Sequence, residues 1–177
     1  MIPPITAVLI TREDVWPTAI RSVLGSNFPF AEVLIQCRCP DIFTRYTLAQ
    51  QAHSDIIYVQ DDDCVVNIDE LWSHYNGSIT NAITEERYNH YAGTGVTLIG
   101  WGAFFPKSMI DFTRWTERFG PVDPIEADRI FTYLHQPHNT HIMRIHELPR
   151  HSRMLSNQPG HDKRCNELIQ QLRKIST

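Results

Sequence analysis

A run of three aspartates directly after a short apolar segment constrains this chain more than any other feature. Residues 55–60 (DIIYVQ) are rich in β-branched and aromatic side chains, which favours a buried strand, and Asp61, Asp62 and Asp63 follow. Neighbouring carboxylates a few Å apart repel by about 1 kcal/mol or more per pair even near the protein surface. A divalent cation such as Mg²⁺ or Mn²⁺ would offset that repulsion. Three aspartates directly after a strand therefore predict a metal site at the carboxyl edge of a sheet. The alternative is a solvated acidic turn that caps the next helix.

The segments before the aspartates predict a parallel sheet. Residues 5–10 and 31–36 are apolar runs typical of buried strands, and helical patterns follow at 11–24, ended by Gly25, and at 41–52. Strands that alternate with helices in this way indicate right-handed βαβ crossovers. Downstream we expect a helix from Asn67 or Asp69 to Ile83, strands at 88–94, 96–105 and 141–148, and helices from Pro106, at 126–134 and at 166–175.

Length and composition favour one soluble domain. The chain has 177 residues, and no linker or repeat interrupts it. Within this domain we distinguish two halves, at about 1–66 and about 67–150, and a C-terminal loop and helix at 151–177. The net charge of −4 gives no global cationic field for nucleic acid or anionic membranes.

The cysteines and the absence of long apolar runs predict a cytoplasmic protein without a membrane anchor. The four cysteines, Cys37, Cys39, Cys64 and Cys165, have no paired C-x-x-C spacing, so we expect reduced thiols and no zinc site. No secretory leader and no run of about 18 apolar residues is present.

Several segments of the chain match the pattern of one known family. They are Thr11-Arg12, residues 19–24, 32–35, the aspartate triplet, the glycine-aromatic segment 102–107 and the acidic segment 126–131. With these segments the chain resembles the GT-A glycosyltransferases over about residues 5–134, and it is closest to the exostosin-like group and the bacterial-type sugar transferases. The resemblance implies an α/β, Rossmann-like GT-A fold with a mostly parallel central sheet flanked by helices, in which about 1–66 would be the nucleotide-binding half and about 67–150 the acceptor-side half. The chain departs from the family where its acidic helix reads Glu126-Ala127-Asp128 instead of two adjacent acids.

This resemblance implies the transfer of a sugar from a nucleoside-diphosphate sugar, UDP being favoured, to a hydroxyl acceptor with the help of Mn²⁺ or Mg²⁺. The acceptor would be a glycan, a lipid-linked sugar, a protein or a modified nucleobase. One alternative is a sugar-phosphate nucleotidyltransferase. Such an enzyme would need a glycine-rich basic loop after the first strand, and residues 11–14 contain no glycine, which counts against this alternative. The other is a non-catalytic nucleotide-sugar-binding module, which would tolerate the loss of the acidic residues that this chain retains.

The resemblance assigns metal contacts to the aspartate triplet. Asp63 is expected as a direct ligand, Asp61 as a ligand of the ribose or of the metal through water, and Asp62 as a support for the loop. A further metal ligand from the C-terminal loop would be His151 or His161. The alternative for any single histidine of that region is a surface position. The spacing of these histidines fits no compact zinc site.

Contacts to the nucleotide donor are expected from the ends of the first strand and from the second helix. Thr11, Arg12 and Glu13 follow the first strand, where a base and ribose would bind, and they also suit a helix cap. Arg45 resembles a position that contacts the diphosphate-sugar or pairs with the first aspartate, the alternative being a surface arginine.

The expected reacting carboxylate is Asp128 or Glu126, with Asp128 preferred. An inverting transferase needs a general base near the attacking hydroxyl. Because side chains two positions apart on a helix point to different sides, we expect only one of the two acids to face the donor. Both also suit the positive end of a helix dipole. Trp101, preceding Gly102 in a Gly-Trp-Gly segment, is a candidate platform for a sugar ring or an ordinary core residue.

Overall fold

The computed structural model describes residues 1–11, 18–39, 41–119, 126–148, 163, 167, 168 and 170. Strands and helices alternate through the first half of the chain, as the sequence predicts. The strands are β1 (Ile5–Ile10), β2 (Glu32–Gln36), β3 (Ile56–Gln60), β4 (Cys64–Val65), β5 (Thr80–Ile83), β6 (Ala103–Pro106), β7 (Asn139–Ile142) and β8 (His146–Glu147). The helices are α1 (Thr18–Leu24), α2 (Thr44–Gln50), α3 (Ile68–Ser73), α4 (Glu85–Tyr91), α5 (Phe112–Phe119) and α6 (Ala127–Leu134).

Six strands form one mixed, mostly parallel sheet in the order β2-β1-β3-β6-β5-β7. β1 pairs in parallel with β2 and β3, β5 pairs in parallel with β7, and β6 runs antiparallel between β3 and β5. The carboxyl ends of β1, β2, β3 and β5 therefore meet at one edge of the sheet, and β6 begins there. A separate two-stranded ribbon joins β4 to β8.

Helices cover both faces of the sheet because the buried side chains of its strands alternate between two apolar clusters. Val8 and Phe105 belong to the cluster that α2, α5 and α6 complete, while Leu9 and Phe104 belong to the cluster completed by α1 and α3. All residues of β1 are buried, as expected for a central strand. The prediction of an α/β domain with a mostly parallel sheet and flanking helices is confirmed.

Two predictions of secondary structure downstream of the aspartates are wrong. The helix expected to reach Ile83 ends at Ser73, and the chain turns at Gly77, whose φ of 89° favours glycine, before it enters β5. Residues 88–94 do not form a strand, because α4 runs to Tyr91 and its first turn is capped by the Thr84 hydroxyl.

The strand expected at residues 96–105, with a break at 100–102, forms only after the break, as β6. Gly102 has a φ of 103°, which interrupts extended backbone, and the side chain of Asn81 on β5 reaches the segment before it. Asn81 Nδ2 donates to the Leu98 carbonyl at 2.8 Å and to Thr97 Oγ1 at 3.0 Å. The buried side-chain amide of Asn81 therefore takes the place of the backbone hydrogen bonds that a strand would make at residues 97 and 98.

The predicted halves at about 1–66 and 67–150 both contribute strands to the same sheet, with β1–β3 from the first and β5–β7 from the second. The loop at 151–161 and most of the helix expected at 166–175 lie outside the described residues, but Leu168 packs against the core. Cys37, Cys39 and Cys64 are free thiols. Within the described part of the chain, none of the helices combines the length and the apolar character needed to cross a bilayer.

Candidate functional site

The aspartate triplet lies at the carboxyl edge of the sheet, anchored by contacts from three other segments of the chain. The Asp61 N–H donates to the Gly100 carbonyl at 2.7 Å, which ties the triplet to the segment before β6. The Thr11 hydroxyl, just after β1, donates to Asp62 Oδ2 at 2.7 Å. The Asp63 carbonyl accepts from the Leu148 N–H at 2.7 Å. The predicted position at the end of the third strand is therefore the observed one.

Arg45 joins this edge to α6. Its side chain is 1% exposed, so it is not the surface arginine that the sequence left open. Nη2 contacts Asp61 Oδ1, and Nη1 lies 3.4 Å from Asp128 Oδ2. Tyr46, the next residue on α2, donates its hydroxyl to Asp128 Oδ1 at 2.7 Å. Two carboxylates that are distant in sequence therefore share one buried cation.

The conformation of Asp61 depends on the lack of a side chain at Gly100. A Cβ at position 100 would lie 2.1 Å from Asp61 Oδ2 and 2.8 Å from its Cγ, far inside any ordinary contact distance. One oxygen of the carboxylate thus packs against the bare backbone of Gly100 while the other contacts Arg45. The two contacts together fix the direction of the Asp61 side chain.

The electrostatics of the site are dominated by negative charge. Burial raises the pKa of Asp61 to about 7; Arg45 opposes that shift, and the charges of Asp63, Asp128 and Asp62 add to it. Burial alone would lower the pKa of Arg45, but Asp128 and Asp61 raise it above its ordinary value, so the guanidinium stays charged. One fixed cation among these carboxylates leaves excess negative charge at the edge of the sheet.

Tyr46 stays a hydroxyl at neutral pH. Burial, with the negative charge of Asp128 as the next cause, raises its pKa well above the ordinary value. Its proton is therefore always available for the hydrogen bond to Asp128. The ring packs edge-on against Trp115, with centroids 5.0 Å apart, and this contact helps to fix the direction of the hydroxyl.

The two candidate reacting carboxylates have different surroundings. Glu126 is 4% exposed, immediately precedes α6, and its Oε2 accepts from Arg129 Nη1 at 2.5 Å. Asp128, on the first turn of α6, keeps 16% side-chain exposure and faces Arg45 and Tyr46. Asp128 is therefore the one that the structure brings to the aspartate edge through a common partner.

Trp101 and Gly102 lie at the same edge, directly before β6. Trp101 is 6% exposed, and the Arg87 guanidinium carbon sits 5.7 Å from the ring centroid. A Cβ at Gly102 would lie 3.1 Å from the Tyr58 hydroxyl, so this position is closely packed. In this arrangement Trp101 is a core residue with a cation over its ring, and sugar stacking on that ring stays a prediction.

Four predicted site residues fall outside the described part of the chain. They are Arg12, Glu13, His151 and His161. Their expected contacts to nucleotide and metal therefore stay predictions.

The carboxylates suit a hard dication in their chemistry. Excess negative charge and oxygen ligands are what Mg²⁺ and Mn²⁺ require, and Mg²⁺ is commonly held by one or two carboxylates together with substrate phosphates. Among residues 1–11, 18–39, 41–119 and 126–148, no group of three or more histidine, cysteine, aspartate or glutamate side chains is gathered around a common metal position. The donor set thus fits a cation that the phosphates of a bound substrate help to hold.

Sequence reasoning missed Tyr46 and Gly100. Consecutive residues on a helix point in different directions, so nothing in the pattern indicated that Tyr46 and Arg45 reach the same carboxylate. For Gly100 a signal was present, since glycines flank Trp101 and glycine often marks a close approach of backbone and side chain.

No model of a known protein family matches this chain, and a search of curated proteins finds no significant match.

Proposed function

We propose that this chain is a metal-dependent glycosyltransferase of the GT-A type, which transfers a sugar from a UDP-sugar to a hydroxyl acceptor. The observation that carries the proposal is the bridge from Asp61 through Arg45 to Asp128. In this bridge the aspartate edge of the sheet is linked to a carboxylate on a separate helix, which keeps 16% side-chain exposure. A metal-dependent inverting transfer would use both, the edge for the cation and diphosphate and the carboxylate as general base, and this supports the proposal.

The donor would bind at the carboxyl edge of the sheet, near Thr11, which already holds Asp62 at 2.7 Å. Asp63 would hold Mn²⁺ or Mg²⁺ directly, with Asp61 acting through water. The bound cation would supply Lewis-acid stabilisation of the negative charge on the departing diphosphate. Arg45 keeps the Asp61 carboxylate in place from the protein side.

In an inverting transfer, Asp128 would act as general base. The acceptor oxygen forms a bond to the anomeric carbon and gives its proton to Asp128. The bond from that carbon to the diphosphate oxygen breaks, and the nucleoside diphosphate leaves with the electron pair. In a retaining transfer, the charge of Asp128 would instead stabilise the oxocarbenium-like transition state. Glu126 is held by Arg129 and is the less suitable of the two acids.

The acceptor belongs to the same proposal and would be a hydroxyl of a glycan, a lipid-linked sugar, a protein or a modified nucleobase. A cytoplasmic setting is also proposed, and the free thiols of Cys37, Cys39 and Cys64 support it.

The test is release of nucleoside diphosphate from a panel of UDP- and GDP-sugars with Mn²⁺, with and without simple sugar acceptors. Asp128→Asn should lower the rate by about 100-fold or more, because a general base typically contributes that much. Asp63→Ala should also lower the rate strongly, because it removes the proposed direct ligand of the cation that would stabilise the departing diphosphate. Asp69→Asn, an exposed acid on α3, serves as the matched control and should keep the wild-type rate.

Equal rates in wild type, Asp63→Ala and Asp128→Asn would overturn the proposal. Formation of a nucleotide-sugar from a sugar phosphate and a nucleoside triphosphate would replace it with nucleotidyl transfer. A rise in melting temperature with UDP and Mn²⁺, without turnover of any donor, would indicate a binding module instead.

A further inference from the structure

Two consecutive side chains on α2 reach the same carboxylate from different sides. Tyr46 donates to Asp128 Oδ1 at 2.7 Å, and Arg45 Nη1 lies 3.4 Å from Asp128 Oδ2. Tyr46 is 82 positions away from Asp128 along the chain.

Arg45 is placed to act through carboxylates and not on a ligand. Its side chain is 1% exposed and lies between Asp61 and Asp128. Nη1 makes no hydrogen bond within the described part of the chain, so its interaction with Asp128 is an ion pair at a longer distance. Arg45 therefore supplies charge, while the close, directional contact to Asp128 comes from Tyr46.

Tyr46 is held rigidly enough to supply direction. It is 0% exposed, and its ring centroid lies 5.0 Å from that of Trp115 and 4.9 Å from that of Phe131. Phe131 is on α6, one turn from Asp128. Tyr46 on α2 thus contacts α6 twice, because its ring packs on Phe131 and its hydroxyl donates to Asp128. The hydrogen bond at Asp128 Oδ1 therefore fixes the direction of Asp128 Oδ2.

We propose that Arg45 and Tyr46 form a two-point clamp that positions Asp128 for reaction, and that Arg45 is not a donor-binding residue. The inference rests on the proposed function only in taking Asp128 as the reacting group. A carboxylate held at both oxygens loses rotational freedom before substrate arrives, and orientation of this kind accounts for a large part of many rate enhancements.

The first test is Tyr46→Phe, which removes one oxygen and keeps the ring that packs on Trp115. The turnover number should fall by about 10- to 100-fold while the donor KM stays within about twofold, because orientation of the base matters only in the transition state. The matched control is Tyr58→Phe. Tyr58 is equally buried, but its hydroxyl donates to Gln60 Oε1 at 2.6 Å, so this variant should keep the turnover number.

Arg45→Lys separates the two roles open to Arg45. Lysine keeps the charge but lacks the planar fork that reaches two carboxylates at once. The clamp predicts a lower turnover number with a donor KM near that of wild type. A selective rise in donor KM would make Arg45 a donor ligand and overturn the inference.

A double-mutant cycle tests whether Tyr46 acts through Asp128. Asp128→Ala removes both oxygens, so Tyr46→Phe should change the residual rate of that variant by less than about twofold. An equal fractional loss in both backgrounds would overturn the clamp.

The same cycle distinguishes failure of the clamp from failure of the proposed function. If the wild type turns over no nucleotide-sugar, the proposed function fails, and the clamp is then judged from unfolding midpoints of the four proteins in the cycle. Tyr46→Phe should lower the midpoint in the wild-type background and much less in Asp128→Ala, since its acceptor is then absent. Equal shifts in both backgrounds would refute the clamp as well.

Discussion

Replacement of Gly100 by alanine tests the geometry of the acidic edge without any assumption about function. The new Cβ would lie 2.1 Å from Asp61 Oδ2, so the carboxylate must move by roughly 1 Å to reach an ordinary contact. Asp61 cannot make that movement and keep its contact with Arg45, because its two oxygens face Gly100 and Arg45 respectively. The substitution therefore acts on the ion pair of the buried Arg45 through a methyl group placed on the segment that precedes β6.

The size of the effect follows from the burial of Arg45. Loss of one partner of a buried ion pair typically costs about 3–5 kcal/mol. Here Asp128 still faces Arg45 at 3.4 Å, and the Asp61 side chain retains 33% exposure, so solvent reduces the loss. We expect Gly100→Ala to lower the free energy of unfolding by about 2–3 kcal/mol, which corresponds to a fall of about 4–12 °C in melting temperature.

Chemical and thermal denaturation of four proteins would measure this: wild type, Gly100→Ala, Asp61→Ala and the double variant. In the Asp61→Ala background the methyl group meets no carboxylate, so Gly100→Ala should cost less than about 0.5 kcal/mol. Tolerance of Gly100→Ala in the wild type, or an equal cost in both backgrounds, would refute the described packing of Asp61 against Gly100.

Two further predictions concern buried polar groups away from the acidic edge. Asn81→Ala removes a fully buried amide that bonds the Leu98 carbonyl, so we expect about 2–3 kcal/mol lower stability in denaturant titrations, against little change for Asn89→Ala, which replaces an exposed asparagine on α4. Burial lowers the pKa of His138 below the ordinary 6.5, so the unfolded chain binds the proton more readily and stability should decrease as the pH falls below about 6.5. His138→Gln, which can still donate to the Thr132 carbonyl, should reduce that decrease in melting temperature, and an unchanged pH dependence would contradict the assignment.

The sequence allowed prediction of the elements in the first half of the chain because local signals and tertiary structure agree there. Apolar runs with β-branched residues became β1, β2 and β3, and the aspartate triplet ended β3 as expected. Downstream the signals conflicted. The apolar spacing of Leu71, Trp72 and Tyr75 suggested a longer helix, although Gly77 marked its end. Aromatic residues in 88–91 suggested a strand, although Thr84 followed by two glutamates is a helix start signal.

The site could be predicted only where a residue follows a strand or opens a helix. Asp61, Thr11 and Asp128 belong to that class, since the carboxyl ends of parallel strands meet at one edge. Pairing of Arg45 with Asp61 was one of the alternatives that the resemblance implied, and the structure shows it. The contacts to Asp128 could not be predicted, because they depend on how α2 packs on α6. That packing decides that Arg45 is buried and that Tyr46 reaches a carboxylate.

The burial of Arg45 between two acids also limits how this chain can vary. An arginine with 1% exposure cannot lose either carboxylate without leaving charge uncompensated in the interior, and neither carboxylate can lose the arginine without the same penalty. A single substitution at position 45, 61 or 128 that removes a charge should therefore lower stability, and a compensating substitution at a second of these positions should recover part of the loss. A library randomised at these three positions and selected for high stability alone should be enriched in combinations whose charges compensate one another or are all absent.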